Sequence, residues 1–417
     1  MRILYNFLTH ITYFHLRIAQ HFSKKLKLFV QGRKGVFEIL KNSIQPNDKT
    51  IWFHCASLGE FEQGVPIIQA VKKEFPEHKI VVTFFSPSGY EIKKNTPLAH
   101  VVVYLPMDTK ANSRKFVKMV HPSLALFVKY EFWPNYLLEL KANNIPTLLI
   151  SGVFRKDQLF FKAHGGFMRK ALHTFNHIFV QNATSEALLQ DLNITNVTVS
   201  GDTRFDRVSH QIEQDNTLAF VADFKQDSIC IVCGSTWPED EVVLLEYINN
   251  APEMVKFIIA PHKIEPLKIE AFRKKIDKKS VLYSEKEGQN LSSNSVLLID
   301  TIGLLTKIYS YADIAYVGGA MGNTGLHNIL EPATFGVPIV IGKHYENFPE
   351  AERLQQLAGL FSIENASECT AILIKLVEDS AFRSKTGMIC EHFVNKNTGA
   401  TRKTMEYIQK LHTGGLI

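Results

Sequence analysis

Cysteine is scarce in this chain: Cys55, Cys230, Cys233, Cys369 and Cys390 are the only five among 417 residues. So small and odd a number excludes a disulfide scaffold and suits a reducing compartment. The one C-x-x-C, Cys230 and Cys233, lies in the apolar run Ser228-Ile-Cys-Ile-Val-Cys-Gly234 and reads as buried strand; no second Cys/His pair stands at zinc spacing. No window approaches the ~20 continuous apolar residues of a membrane span, because Asn6, His10, Arg17 and Gln20 interrupt the most apolar stretch. A compact apolar run ending in a small-residue cleavage site is also missing, so no signal peptide is expected. There is no internal repeat of 20–50 residues and no low-complexity tract. The pattern G-x-x-x-x-G-K-[ST] is absent, which counts against an ATPase.

Acidic residues are missing from the first 37 positions, which carry seven basic side chains: Arg2, Arg17, Lys24, Lys25, Lys27, Arg33 and Lys34. The whole chain has 47 basic and 41 acidic residues, so beyond this arm the body is close to neutral. A nucleic-acid-binding protein usually spreads its cations over a folded face, so no nucleic-acid partner is expected; an anionic membrane surface met by one end is. Within the arm, Leu4, Phe7, Leu8, Ile11, Phe14, Ile18 and Phe22 recur at helical spacing, with Arg2, Asn6, Thr9, Arg17, Gln20 and Lys24 opposite. This predicts a helix in the headgroup plane, apolar face down, with Lys24, Lys25, Lys27, Arg33 and Lys34 near anionic lipid. The alternative is a helix docked on the protein's own core.

What the chain has in quantity is ordinary globular material, 45% hydrophobic and 21% charged, long enough for two or three domains. β-rich runs alternate with helical stretches at 50–55, 79–85, 101–105, 123–129, 146–151, 177–181 and 196–200. A second series follows at 228–233, 255–260, 295–299, 313–317 and 337–341. The alternation predicts an α/β chain of two Rossmann-like parallel-sheet halves facing each other across a cleft, with ligands at the carboxyl ends of the strands. The polar stretch 204–223 is the expected boundary.

Several segments after strands carry candidate chemistry. In Ser57-Leu-Gly-Glu60, Ser57 and Gly59 are expected to form a tight turn that sets Glu60 at a helix N-terminus, where its carboxylate can take a proton from a hydroxyl or simply complement the helix dipole. Lys129-Tyr-Glu-Phe-Trp-Pro-Asn135 would bring Lys129, Glu131 and Asn135 to the same rim, and Arg155 with Lys156 and Lys162 could hold carboxylate or phosphate. Gly234-Ser-Thr236 opens a helix, so Ser235, Thr236 and free backbone amides form a phosphate site, with His262 after the next strand as a weaker partner. The segment from Tyr316 to Pro338 is the most specific: Gly318, Gly319, Gly322 and Gly325 allow close backbone approach to a ligand. His327, Asn328 and Glu331 then fall on the first helical turns, where a carboxylate can accept ribose hydroxyls.

With these residues in view, the chain resembles the 3-deoxy-D-manno-octulosonic acid (Kdo) transferases of lipopolysaccharide inner-core synthesis, members of the GT-B glycosyltransferases. The resemblance runs from Gly32-Arg33-Lys34 through Ser57-Leu-Gly-Glu60, Glu131-Phe-Trp-Pro-Asn135, Gly201-Asp-Thr-Arg-Phe-Asp206 and Gly234-Ser-Thr236 to His327-Asn-Ile-Leu-Glu-Pro332. It implies an inverting, metal-independent transfer of Kdo from CMP-Kdo to the lipid A precursor (lipid IVA) on the cytoplasmic face of the bacterial inner membrane, with no cofactor. Glu60 would be the general base; Ser57, Gly59, Lys129, Glu131 and Arg155 would serve the acceptor and donor sugar; Ser235, Thr236, His262, the four glycines, Asn328 and Glu331 would serve the nucleotide. The implied organisation is a membrane-surface arm (1–37), an acceptor-binding domain (38–207), a nucleotide-sugar-binding domain (208–395) and a C-terminal helix (396–417) that could pack back on the first domain. Lys263 and Lys343 depart from the family pattern on the nucleotide side. A soluble sugar-nucleotide epimerase and a non-catalytic scaffold on the same fold are the competing readings.

Overall fold

A computed structural model describes residues 1–417, which divide into two compact units: Met1–Arg207 with Thr398–Ile417, and Val208–Asn397. The first contains β1 (Lys49–Cys55), β2 (His78–Phe84), β3 (Val101–Tyr104), β4 (Pro122–Val128), β5 (Thr147–Gly152), β6 (His177–Val180) and β7 (Val197–Val199). They form one sheet in the order β3-β2-β1-β4-β5-β6-β7, every pair parallel. These strands are apolar nearly throughout because helices cover both faces. Period-two alternation survives underneath: Ile51, Phe53 and Cys55 of β1 join the core on one side of the sheet, and Trp52 the core on the other. The C-terminal helix Ala400–Thr413 belongs to this unit, contributing Ile408 and Leu411 to the core and stacking Tyr407 on His177 with ring centroids 4.4 Å apart.

The second unit contains β8 (Ile229–Thr236), β9 (Val255–Pro261), β10 (Ser280–Leu282), β11 (Val296–Leu298), β12 (Ile314–Val317), β13 (Ile339–Ile341) and β14 (Leu360–Ser362). Its sheet is again parallel, in the order β10-β11-β9-β8-β12-β13-β14. The sequence reading passed over β10 and β14, the two edge strands of three residues each, which are only partly buried. Cys230 and Cys233 are buried in β8, and all five cysteines are free.

In both sheets the chain leaves a central strand in one direction and later resumes beside it in the other. The switch points fall between β1 and β4 in the first unit, and between β8 and β12 in the second. Loops diverge there, and that opens a crevice beyond the carboxyl ends of the strands.

The N-terminal residues form the helix Arg2–Ala19, followed by Lys24–Gln31 and Val36–Ser43. No helix is long and apolar enough to cross a membrane. The first helix docks by its polar side: Arg2 donates to Asn135 at 3.1 Å, Tyr5 to Asp108 at 2.7 Å, and Asn6 accepts from Asn135 at 3.0 Å. Its apolar stripe stays bare, with Ile3 87%, Phe7 60% and Phe14 61% exposed. Arg33 departs from the expectation of a lipid-facing cation. It is 9% exposed, donates to the carbonyls of Phe29, Leu105 and Phe85, and lies 3.6 Å over the Phe29 ring. Three inward carbonyls and an aromatic face suit a planar guanidinium better than water does.

Candidate active site

At the end of β1 the chain turns at Ser57, the N-cap of the helix Leu58–Glu74. The Ser57 hydroxyl does not cap a backbone amide; it donates to the Glu60 carboxylate, one helical turn on. Glu60 is half-buried, with one oxygen held by Ser57 at a helix N-terminus, an arrangement that orients the carboxylate. Gly59 contributes less than expected to the turn: it sits in the helix, exposed, and a Cβ there would meet nothing closer than the Ser57 hydroxyl at 3.8 Å.

Glu131, after β4, stands near the same strand end, and the charges of Glu60 and Glu131 both reach the buried Cys55 thiol, which burial above all pushes well up. It is 9% exposed and is held by one oxygen, Oε2, which lies 3.0 Å from His54 Nε2 and accepts from Trp133 Nε1 at 2.7 Å. Trp133 Nε1 also lies 2.9 Å from His54 Nε2, so His54, Glu131 and Trp133 form one cluster. Behind it, His54 Nδ1 and Trp52 Nε1 both meet the Thr83 hydroxyl at 2.8 Å. Glu131 is thus an anchored wall of the site rather than a mobile ligand, with Oε1 left over. Asn135 does not reach the rim at all; it is fully buried and ties the N-terminal helix to the body.

Lys129 takes a left-handed backbone (φ 68°) at the end of β4. Its ammonium lies 5.0 Å from the Tyr130 ring centre, and Arg155 lies 5.2 Å from the same ring while donating to the Tyr130 hydroxyl at 3.3 Å. The structure therefore brings Lys129 and Arg155 together over Tyr130. Arg155 also lies 3.9 Å from the exposed Asp157. Such a pair of cations suits a carboxylate or phosphate.

In the second unit β8 bulges at Ser235, a non-glycine residue at φ 56°, before Trp237 caps the helix Pro238–Asn250. Ser235 is half-exposed, but Thr236 is 2% exposed and its hydroxyl reaches Glu241 at 3.5 Å, so Thr236 faces protein and not a ligand. The glycine segment after β12 also needs correction. The Gly318 amide donates to Gly234 O, and the Gly319 amide to the buried Asp240 carboxylate. A Cβ on Gly318 would strike Ser235 O, and one on Gly319 would strike Gly325 O. These two glycines exist for backbone packing, whereas the amides of Gly322 and Gly325 donate to nothing within the protein.

Asn328 and Glu331 come together as expected, Asn328 Nδ2 donating to Glu331 Oε1 at 3.1 Å and Thr306 to Oε2 at 3.0 Å. The helix starts later than expected, at Leu330–Thr334, so His327 and Asn328 lie in the irregular segment before it. His262 is exposed and stacks on Trp237 at 4.7 Å, and its ring lies 4.3 Å from that of His327. Trp237 Nε1 donates to His327 Nε2 at 3.1 Å. Burial, with His262 alongside, lowers the His327 pKa to about 4. No three His, Cys, Asp or Glu side chains come together in a way that could hold a metal ion.

Comparison with known proteins accords with this layout. Residues 29–207 match the family described as 3-deoxy-D-manno-octulosonic-acid transferase (kdotransferase). The chain is 26% identical over 386 residues to the 3-deoxy-D-manno-octulosonic acid transferase of Haemophilus influenzae, covering 88% of each. It is 28% identical to the transferase of the same name from Chlamydophila psittaci, covering 79% of this chain and 78% of that one. Residues 29–207 thus carry the 3-deoxy-D-manno-octulosonic-acid transferase family's domain, and the chain as a whole is similar to that family's members. That likeness supports glycosyltransferase activity. Among solved structures it is similar in fold to the UDP-GlcNAc 2-epimerase of Neisseria meningitidis, with a TM-score of 0.61 and 16% identity over 87% of this chain and all of that one. Its fold is of the GT-B class.

At this site, sequence reasoning missed three contributors. Tyr130 gathers the two cations, Asp240 ties the β8 turn to the glycine segment, and Trp237 orients His327. Asp240 alone had a readable signal, since Trp237-Pro-Glu-Asp240 has the spacing of a cap whose third helical residue returns a carboxylate to the cap amide.

Proposed function

We propose that this protein moves Kdo from CMP-Kdo to the lipid A precursor, lipid IVA, with inversion and without a metal ion, at the cytoplasmic face of the bacterial inner membrane. The observation that carries the reading is Glu60, held through one oxygen by Ser57 at the carboxyl end of β1, beside the switch point. Its other oxygen would accept the proton of an acceptor sugar hydroxyl. The hydroxyl oxygen would attack the anomeric carbon of Kdo as the bond from that carbon to the phosphate oxygen breaks. The bonding pair leaves with CMP and the proton stays on Glu60. The growing phosphate charge would meet the Ser235 hydroxyl and the free amides of Gly322 and Gly325, and the Asn328–Glu331 pair would take the ribose. Lys129 and Arg155 would receive the carboxylate of the donor sugar or a phosphate of the lipid.

A membrane-surface role is supported by the bare apolar stripe of the first helix and by its surroundings. Beside it a groove of about 800 Å³ is lined by Ile3, Asn6 and His10 and, from the helix Lys110–Val120, by Lys110, Arg114, Lys115 and Lys118. Lys110, Arg114 and Lys118 repeat every fourth residue on a helix that has no acid of its own, with Glu139 3.8 Å from Arg114, and such a basic row attracts an anionic surface. The test is to incubate the purified full chain with CMP-Kdo and lipid IVA, with and without a chelator, and to weigh the lipid by mass spectrometry. Addition of Kdo that survives the chelator is the expected result. A chelator-sensitive reaction would remove the metal-free mechanism, and an unchanged lipid would remove the function.

A further inference from the structure

Three strands deliver one aromatic cluster at the switch point of the second unit: Trp237 follows β8, His262 follows β9, and His327 closes the glycine segment after β12. An indole has a single N–H and no acceptor, so the Trp237–His327 bond identifies His327 Nε2 as a lone pair and places the ring proton on Nδ1. The backbone fixes the ring as well. The His327 amide donates to Gly318 O, and a Cβ at residue 319 would lie 3.0 Å from His327 Cδ2, so Gly319 is the residue that makes room for the imidazole. With His262 against it and burial around it, the ring stays neutral down to about pH 4.

The Nδ1–H has no acceptor in the protein. The amides of Gly322 and Gly325 on the same segment lack one too. Nearby carboxylates are already engaged: Asp240 accepts from Trp237 N, Gly319 N and the Tyr316 hydroxyl, and Glu331 from Asn328 and Thr306. Glu239 lies beside Gly322 at the exposed start of the helix Pro238–Asn250. Donors without acceptors select a ligand group that only accepts, and a phosphate oxygen is such a group.

We propose that His327 binds a phosphate oxygen of the nucleotide through a neutral Nδ1–H, and that Trp237 is the positioning residue that enforces this tautomer. The inference rests on the reading of the second unit as the nucleotide holder and adds to it the atom, its protonation and its support. A neutral donor holds the phosphate without adding a cation, so it gives up the released monophosphate more readily than an imidazolium would.

The test uses the full chain, with CMP and cytidine as probes in calorimetric titrations. An asparagine amide nitrogen falls near the position of imidazole Nδ1, and a glutamine amide nitrogen near Nε2, so the two variants report which nitrogen matters. His327→Gln is expected to weaken CMP about tenfold while leaving cytidine unchanged, the loss of one hydrogen bond to a charged group. His327→Asn is expected to stay within about threefold of the parent. Trp237→Phe is expected to fall between them and, in ¹⁵N-labelled protein, to turn a pure Nδ1–H spectrum of His327 into a mixture of tautomers. Equal affinities for CMP in parent, His327→Asn and His327→Gln would overturn the inference while leaving the nucleotide reading intact. So would a pure Nε2–H spectrum in the parent. Failure of the parent to bind CMP at all would overturn that reading and this inference with it.

Discussion

Tyr5 donates its hydroxyl to Asp108 at 2.7 Å, and this bond, with its neighbours from Arg2 and Asn6, decides which way the first helix faces. Asp108 also accepts from the backbone amides of Asn135 and Tyr136 while burial raises its pKa to about 6, so the helix is fastened to a carboxylate already fixed in the fold. The polar side is committed to the protein, and Leu4, Phe7, Phe14 and Ile18 are turned to the outside. Replacing Phe7 and Phe14 by Ser should therefore leave thermal stability within about 0.5 kcal/mol of the parent. The same change should abolish co-sedimentation with vesicles rich in anionic lipid, because each buried Phe contributes roughly 2 kcal/mol of insertion. Undiminished vesicle binding by the double variant would dismiss the helix as a surface anchor.

The Ser57–Glu60 bond separates two contributions to catalysis. Glu60→Gln keeps the shape and removes the base, so turnover should fall by roughly 10²–10⁴ while CMP binding is retained. Ser57→Ala leaves the carboxylate but frees it to rotate, and a loss nearer to tenfold is expected, carried by kcat rather than KM. Single-turnover rates on the two variants measure both effects. Comparable losses in both would mean that Ser57 does more than orient its neighbour.

Arg33 offers a contrast, a cation within the basic arm whose work is internal. Its guanidinium serves three carbonyls and the face of Phe29, so Arg33→Lys should lose two of those bonds and destabilise the first unit by about 2–4 kcal/mol, read from denaturant unfolding. Vesicle affinity of the folded fraction should not change. If Arg33→Lys weakens lipid binding at full stability, the residue faces the membrane after all.

The difference between Arg33 and Lys34 shows where sequence reading runs out. Both belong to one basic cluster, and only the three carbonyls that meet at Arg33, two of them 52 and 72 residues away, distinguish them. The same holds at the glycine segment. The four glycines were legible as a close approach of backbone, but whether ligand or protein fills the space depends on Asp240, Ser235 and Gly325, brought there by tertiary structure. Glu60, by contrast, was legible because its geometry is local: strand end, cap and first helical turn lie within six residues. The alternation of β1 through β9 and of β11 through β13 was legible for a similar reason, since most of these strands are apolar runs, whereas β10 and β14 are half-exposed edge strands that pair on one side only.

Acid should expose His327. Its pKa is near 4 in the folded chain against 6.5 for a free side chain, so between those values the unfolded chain takes up a proton that the native ring refuses. The second unit therefore loses stability from this residue as pH falls from about 6.5 to about 4, and no further below that. The ring retains partial access to solvent, which brings the loss to on the order of 2 kcal/mol. His327→Gln has no such proton to refuse. The stability of the parent relative to this variant, from chemical denaturation at pH 7 and pH 4.5, should shift against the parent as the solution is acidified. A difference that is constant across the window would mean that the imidazole is already hydrated in the folded state, and that Trp237 does not hold it in the way the 3.1 Å bond requires.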